Sequence, residues 1–310
     1  MAAIEQTQRE TPGMDALFAD FTERRAQIAD GTTFRLLSGG EGPVVLLLHG
    51  WPQTLAAWHR IAPQLRAAGY RVVVPDLPGY GQGEIGSGSA LARAPSRRAI
   101  AGSIATLMES LGHQRYAVVG HDRGARAGYR LALDRPDPVA GYASLAVVPT
   151  LDVWERIDGR FALRAPHWFF FTLPPDLLET LIGAGLDGYL DHVLTGMAGG
   201  RDRLDPRAVA DYRAAFARPA VRAAMFSDYS AALGIDLEHE RADRETGHKI
   251  ACPVLHLWPA GVAGDPLAVW RRWADDVSGG DVAGGHLLPE QSADAVLEAL
   301  IPFLKRCFPR

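Results

Sequence analysis

One short segment of the sequence carries an aspartate in a position suited to nucleophilic chemistry. Gly120-His-Asp122-Arg-Gly124 follows an apolar run and precedes a stretch compatible with a helix. This is the strand–turn–helix context of a nucleophile elbow, Gly-x-Ser-x-Gly, with aspartate in the serine position. Glycines suit such a tight turn, and a carboxylate there can attack carbon to form an ester without first losing a proton. The alternative interpretation is an aspartate that only caps the following helix.

Two other segments supply groups that this chemistry would need. Residues 49–52, His-Gly-Trp-Pro, follow an apolar run, and the backbone N–H groups of Trp51 and Arg123 are predicted to form an oxyanion hole. Gly284-Gly285-His286 lies late in the chain, so the histidine follows the nucleophile in chain order. His286 is therefore predicted to be the general base that activates water to hydrolyse the ester. An ordinary turn and a structural histidine are the alternatives.

Short apolar runs that alternate with helical stretches place these segments in an α/β fold. Strands are predicted at 44–48, 71–74, 116–119, 142–148 and 253–258, and a helix at 96–111 with Ser96 as its N-cap. Continuous apolar runs of this length are typical of parallel strands that are buried on both faces. Between residues 151 and 248 no strand pattern is visible. The sequence therefore predicts an α/β core in two parts, 1–150 and 249–310, interrupted by a helical cap at 151–248.

The composition excludes several classes of protein. The chain has 310 residues, a net charge of −4 and 47% hydrophobic residues, and this mild acidity argues against a nucleic-acid partner. It has no run of about 18 apolar residues that would predict a membrane span, and residues 1–20 lack the apolar region of a signal peptide. Cys252 and Cys307 are too few for a disulfide framework. We expect a cytoplasmic protein without membrane association, and no sequence pattern indicates a metal or another cofactor.

Four segments together resemble the α/β-hydrolases that use an aspartate nucleophile, and among them the haloacetate dehalogenases, which include fluoroacetate dehalogenase. The segments are 49–53 (His-Gly-Trp-Pro-Gln), 76–81 (Asp-Leu-Pro-Gly-Tyr-Gly), 120–126 and 284–286, and the resemblance runs from about residue 34 to residue 304. It implies an α/β-hydrolase fold, with a mostly parallel central sheet and an inserted helical cap. It also implies hydrolysis of short 2-haloacids such as fluoroacetate or chloroacetate through an aspartyl ester. The substrate would be a small anion, and the protein a homodimer.

The resemblance further assigns two arginines to the substrate. Arg123 and Arg126 match residues that bind the substrate carboxylate, and guanidinium groups suit this task because they stay charged and bind carboxylates bidentately. Cations are disfavoured at a helix N-terminus, so an anionic partner is expected for both. Trp51, in the His-Gly-Trp-Pro segment, is expected to narrow the pocket.

Three residues match the halide-binding residues of the same family. His167 and Trp168 lie in the predicted cap, and Tyr229 lies further along it. Their N–H and O–H groups can donate hydrogen bonds to a departing halide. The alternative interpretation is that they are core aromatic residues.

One position departs from the family pattern. The family carries the acid of its catalytic triad after the strand that precedes the cap, where this sequence has Ala146. Asp265, after the next strand, is the predicted substitute, and Asp152 is a weaker candidate. Two other interpretations remain open: slow turnover with an unsupported histidine, and loss of hydrolase activity.

Two other functions compete with dehalogenation. An epoxide hydrolase would use the same aspartate nucleophile, with Tyr229, Tyr212 or Tyr189 protonating the epoxide oxygen. A protein without the triad acid could instead be a non-catalytic binder of small acids. The paired arginines favour the haloacid, since a neutral epoxide gives them no task.

Overall fold

The computed structural model describes residues 14–309, and the eight strands in this range form a single sheet. The strands are β1 (Thr22–Gln27), β2 (Thr33–Gly39), β3 (Val44–Leu48), β4 (Arg71–Pro75), β5 (Tyr116–His121), β6 (Val139–Leu145), β7 (Val254–Pro259) and β8 (Val277–Val282). Their order is β1-β2-β4-β3-β5-β6-β7-β8, with β2 antiparallel to both neighbours and all other neighbouring pairs parallel. Most of the segment assessed for a signal peptide, residues 1–13, lies outside the described range.

Helices cover the sheet and form a large insertion. They are α1 (Met14–Leu17), α2 (Ala62–Ala67), α3 (Ala90–Arg93), α4 (Arg97–Ser110), α5 (Arg123–Asp134), α6 (Thr150–Trp154), α7 (Gly159–Arg164), α8 (His167–Phe170), α9 (Pro175–Gly183), α10 (Leu186–Ala198), α11 (Pro206–Phe216), α12 (Pro219–Ala232), α13 (Ile235–Thr246), α14 (Pro266–Trp270), α15 (Leu288–Gln291) and α16 (Ala293–Cys307), with 3-10 helices at Leu55–Trp58 and Arg201–Arg203. The helices α6 to α13 are inserted between β6 and β7. In the described part of the chain, no helix is both long and apolar enough to cross a membrane.

The α/β-hydrolase architecture expected from the sequence is confirmed, and the central strands lie where the apolar runs predict them. Strand β3 has the predicted bounds, and α4 begins after Ser96, whose hydroxyl accepts a hydrogen bond from the N–H of Ala99 at 3.1 Å. Strand β6 ends three residues early, because the chain turns at Ala146, where φ is +69°. The β1–β2 hairpin was not predicted, since only Ala26 of β1 is buried.

Two glycines allow the start of α5 to pack closely against the sheet, Gly124 at the end of β3 and Gly120 at the end of β5. A Cβ atom on Gly124 would lie 2.2 Å from the carbonyl oxygen of Leu48 and 2.4 Å from that of His49. A Cβ atom on Gly120 would lie 2.4 Å from Cα of Ala125. Because these neighbours are backbone atoms, they cannot rotate away. The close approach brings residue 122 next to the loop that follows β3.

Replacing Gly124 by Ala should therefore destabilise the fold, by about 1–3 kcal/mol, because the added methyl overpacks a backbone contact. Gly102→Ala in α4 is the matched control, since a Cβ atom there meets nothing within 4 Å. That control should stabilise the protein by about 0.5–1 kcal/mol through helix propensity. Thermal unfolding followed by circular dichroism measures both, and an unchanged Tm for Gly124→Ala would contradict the packing argument.

Candidate active site

Asp122 occupies the turn between β5 and α5 in a strained backbone conformation. Its φ is +47° and its ψ is −113°, a combination that residues with a side chain rarely adopt. Although it precedes α5, its side chain makes no capping hydrogen bond, so the helix-cap interpretation is wrong. One carboxylate oxygen, Oδ1, accepts the backbone N–H of Trp51 at 3.0 Å. The other, Oδ2, lies 3.4 Å from Nε2 of His286.

The surroundings keep the Asp122 carboxylate charged. Burial alone would raise the pKa of Asp122, but the hydrogen bond and charge of His286, together with His121 and Arg123, hold the pKa well below 3.8. Asp122 is therefore ionised at neutral pH. The ionised form is the one that can act as a nucleophile.

The loop that follows β3 reaches this carboxylate because Gly50 has no side chain. A Cβ atom on Gly50 would lie 2.6 Å from Cβ of Asp122 and 2.9 Å from Nδ1 of His121. The backbone N–H of Trp51 can therefore point at the carboxylate. This donor is in place for an oxygen of Asp122 itself, which becomes an oxyanion when water attacks an ester of that residue.

Backbone contacts fix the segment that carries His286. Its N–H donates to the carbonyl oxygen of Met197 at 3.3 Å, and its own carbonyl oxygen accepts Nε2–H of His121 at 2.8 Å. Burial lowers the pKa of His121 to about 3, so His121 stays neutral. Sequence reasoning missed this histidine, although it lies beside the nucleophile in the elbow.

Aromatic residues from the cap pack around Trp51, whose backbone N–H contacts Asp122. His167, the first residue of α8, stacks on Trp51 with ring centroids 4.8 Å apart. Tyr229, on α12, contacts Trp51 and His167 edge-to-face at 5.7 and 5.5 Å. Burial lowers the pKa of His167 to about 4, so His167 is neutral at pH 7. The negative charge of Asp122 acts to raise the pKa of both His167 and Tyr229.

Arg123 already has an anionic partner within the chain. Its Nε donates to Oδ2 of Asp228 at 2.6 Å and its Nη2 to the carbonyl oxygen of Asp228 at 2.7 Å. The guanidinium lies over the Tyr229 ring, 4.1 Å from its centroid. The anion expected for this arginine is therefore, in part, the carboxylate of Asp228, which sequence reasoning missed.

Arg126 is bound differently. Its Nη1 donates to the hydroxyl of Thr150 at 2.7 Å and to the carbonyl oxygen of Val148 at 3.2 Å. Its guanidinium lies 5.0 Å from the centroid of the Trp168 ring. Among residues 14–309, no carboxylate is within ion-pair distance of Arg126. In the described part of the chain, Arg126 is therefore a buried cation without a direct ion pair.

Three buried N–H groups at the site make no hydrogen bond to the part of the chain that the structure describes. They are Nη1 of Arg123, Nε of Arg126 and Nε1 of Trp51. A buried donor without an acceptor costs about 1–3 kcal/mol, more when it is charged. All three are donors, so the site favours a ligand with electronegative or negatively charged atoms. The described residues hold no cluster of three or more metal-ligating side chains.

The comparisons with known proteins agree with this architecture. Residues 43–237 match the family model described as the alpha/beta hydrolase fold. The chain belongs to the α/β-hydrolase family. A fluoroacetate dehalogenase from a Burkholderia species is 37% identical to this α/β-hydrolase over 296 residues, covering 93% of this chain and 95% of the relative. A soluble epoxide hydrolase from a Corynebacterium species is 27% identical, covering 92% of this chain and 97% of its own.

A solved structure resembles this α/β-hydrolase still more closely in sequence. It is a threonine-to-aspartate variant of a candidate epoxide hydrolase from Pseudomonas aeruginosa with bound MFA. The two chains are 45% identical and superpose with a TM-score of 0.89, covering 94% of this chain and 97% of the other.

The structure does not bring the predicted substitute acid to His286. Asp265 is exposed and caps α14, where its Oδ1 accepts the N–H of Ala268 at 3.0 Å. Asp152 is buried but accepts Nε1–H of Trp273 at 2.6 Å and pairs with Arg272. Neither carboxylate contacts His286, whose ion pair in the described structure is with Asp122.

Removing the Asp265 side chain should therefore affect the helix and not the site. Asp265→Ala should lower stability by roughly 1 kcal/mol, the ordinary loss of an N-cap, and leave the NMR shifts of the His286 ring unchanged. Asp122→Asn, by contrast, should move those shifts because it removes the charged neighbour of His286. Equal shift changes in both variants would contradict the arrangement.

Proposed function

We propose that this α/β-hydrolase removes the halogen from short 2-haloacids such as fluoroacetate or chloroacetate. The observation that carries the proposal is the buried guanidinium of Arg126, which forms no ion pair among residues 14–309 and lies within the electrostatic influence of the ionised Asp122. Buried N–H donors without an acceptor in the same residues support it. A carboxylate on the substrate would give Arg126 its counter-ion. The 37% identity with a fluoroacetate dehalogenase over most of both chains supports the same assignment.

The first step would be an in-line displacement. An oxygen of Asp122 attacks the carbon that bears the halogen, forming a C–O bond as the carbon–halogen bond breaks and the halide leaves with the electron pair. Donors from His167, Trp168 and Tyr229 would stabilise the developing halide, with Trp51 narrowing the pocket around it. Because His167 is neutral and its N–H is a donor, it can bind a halide without first titrating.

The second step would be hydrolysis of the ester. His286 takes a proton from water as the water oxygen attacks the ester carbonyl carbon of Asp122. The bond between that carbon and the ester oxygen then breaks, and His286 returns the proton to the leaving oxygen, which releases the 2-hydroxy acid and regenerates the Asp122 carboxyl group. The N–H of Trp51 would donate to the oxyanion. Ester formation, however, neutralises Asp122, the carboxylate paired with His286. His286 then lacks a carboxylate partner among the described residues, so this step should be slow.

An epoxide hydrolase is the second candidate, and the tyrosine of the pocket is the observation in its favour. Burial and the charge of Asp122 both raise the pKa of Tyr229, so its hydroxyl stays protonated and would be available to protonate an epoxide oxygen. The other two tyrosines give less support. Tyr212 accepts a hydrogen bond from Gln53 at 3.4 Å, and Tyr189 stacks on Phe216 at 6.1 Å. The relatives named epoxide hydrolases keep this alternative open.

Replacing Arg126 separates the two candidates. Arg126→Gln should lower kcat/KM for chloroacetate about 10- to 100-fold, because a hydrogen bond to a charged group contributes about 1.5–3 kcal/mol. Turnover of a neutral epoxide such as styrene oxide should change little. Arg135→Gln, on the exposed end of the same helix α5, is the matched control. Epoxide turnover that is equal in the parent and in Arg126→Gln, with no halide released from chloroacetate by the parent, would favour the second candidate.

Restoring a carboxylate at position 146 tests the slow second step. Ala146 has φ +69°, a conformation that Asp and Asn adopt more readily than other residues with a side chain. Removing the acid of a serine protease triad costs about 10⁴-fold in kcat. Ala146→Asp should therefore raise steady-state halide release at least about tenfold, whereas Ala146→Asn fits the same backbone without a charge and should not.

The unmodified protein should release about one halide per active site and then slow, with the ester retained on Asp122. Mass spectrometry of the intact protein and of its peptides detects that ester, and Asp122→Asn provides the control without a nucleophile. Folded protein that releases no halide from fluoroacetate or chloroacetate, and gains no mass, would refute the dehalogenase. That outcome would favour a non-catalytic binder of small acids.

A further inference from the structure

Asp228 lies at the centre of a buried charge cluster behind the arginine that faces Asp122. Its Oδ2 accepts Nε–H of Arg123 at 2.6 Å and the hydroxyl of Tyr80 at 2.9 Å. Its Oδ1 lies 3.2 Å from Nη2 of Arg97. One carboxylate thus contacts two guanidinium groups, and only 5% of the Asp228 surface is exposed.

A second carboxylate supports the far side of this cluster. Oδ1 of Asp236 accepts the backbone N–H of Arg97 at 2.8 Å, and its Oδ2 lies 3.6 Å from Nη1 of the same residue. Both residues are buried. Arg97 therefore lies between two carboxylates, Asp228 and Asp236, which leaves Asp228 shared between Arg97 and Arg123.

Asp228 stays ionised in this environment. Burial would raise the pKa of Asp228, but the charges of Arg123 and Arg97 outweigh burial and hold the pKa below its ordinary value. A buried ionised carboxylate compensates the charge of a guanidinium that it contacts. Of the three buried arginines around the pocket, Arg97 and Arg123 have carboxylate partners, and Arg126 has none among residues 14–309.

The same contacts also fix the orientation of Arg123. Its Nε and Nη2 are bound by Asp228, and its plane rests over the ring of Tyr229, the next residue along α12. Only Nη1 remains without an acceptor in the described residues. One helix of the cap therefore supplies both the aromatic donor of the pocket and the carboxylate that determines which Arg123 hydrogen remains unbonded.

We infer that Asp228 is a positioning and specificity-determining residue of the anion pocket. It holds Arg123 with one donor toward the ligand, and it neutralises that arginine so that the pocket carries a single uncompensated guanidinium, that of Arg126. The pocket is thereby suited to one carboxylate and discriminates against two. This inference rests on the proposed function, because it assumes that the ligand is a carboxylate anion.

The test compares glycolate with oxalate, two unreactive ligands of nearly equal size that carry one and two carboxylates. Their dissociation constants are measured by calorimetry on the full chain. Asp228→Asn keeps the shape of the side chain and an acceptor oxygen but leaves the charge of Arg123 uncompensated. The preference for glycolate over oxalate should then fall by about tenfold or more, because the dianion gains more from the added positive charge.

Two further variants distinguish a change in ligand preference from a general loss of binding through structural disruption. Asp228→Glu retains the charge and should keep the parent preference. Asp243→Asn removes another buried carboxylate, one that lies two turns beyond Asp236 along α13 and pairs with Arg130, and it should also leave the preference unchanged. A purely structural role would weaken both ligands in proportion and leave their ratio constant.

The outcomes distinguish this inference from the function on which it rests. An unchanged ratio in folded Asp228→Asn, with glycolate binding intact in the parent, would overturn the role of Asp228 and leave the dehalogenase standing. A parent protein that binds neither ligand would overturn the anion pocket and, with it, both proposals. Circular dichroism confirms that each variant is folded.

Discussion

The site depends on one physical requirement: Asp122 has to remain a charged carboxylate although it is almost completely buried. Removing an ion from water is costly unless hydrogen bonds and opposite charges replace the solvent. Here the replacement comes from the backbone N–H of Trp51 and from the ring of His286. The N–H of Trp51 can reach the carboxylate because Gly50 and Gly124 let the β3 loop and α5 approach within contact of each other. The segment that carries His286 is held by backbone contacts of its own with Met197 and His121.

Keeping Asp122 charged also constrains the other buried charges around it. Arg123 helps to hold Asp122 ionised, yet several unpaired cations would destabilise a buried site. Asp228 pairs with both Arg123 and Arg97, and Asp236 pairs with Arg97, so these two arginines are compensated. Within residues 14–309 this leaves the guanidinium of Arg126 without an ion pair, and the proposed substrate carboxylate would balance it. The anion binding that we propose thus follows from the same constraint that keeps the nucleophile charged.

The sequence predicts those parts of the molecule whose signals are local. Strand β3 and the elbow at Asp122 are visible because an apolar run and a glycine pair are read within a few residues. The β1–β2 hairpin is missed because its strands are half-exposed and show no such run. Asp265 is predicted as the triad acid, but the structure places it at the N-cap of α14, and aspartate followed by proline is also the sequence signal of an N-cap. Asp228 was missed because its partner Arg123 is 105 positions away.

The two halves of the proposed reaction place different demands on this arrangement. Displacement of halide needs an ionised Asp122 and donors around it, and the resting structure holds all of them. Hydrolysis begins only after that carboxylate has become an ester, when its interaction with His286 no longer exists. A separate carboxylate would orient His286 and stabilise its protonated form during this step. At Ala146 the backbone already has the left-handed conformation that an aspartate tolerates. The same ion pair that stabilises the resting site is therefore consumed by the first step, which makes the second step the one that the missing acid controls.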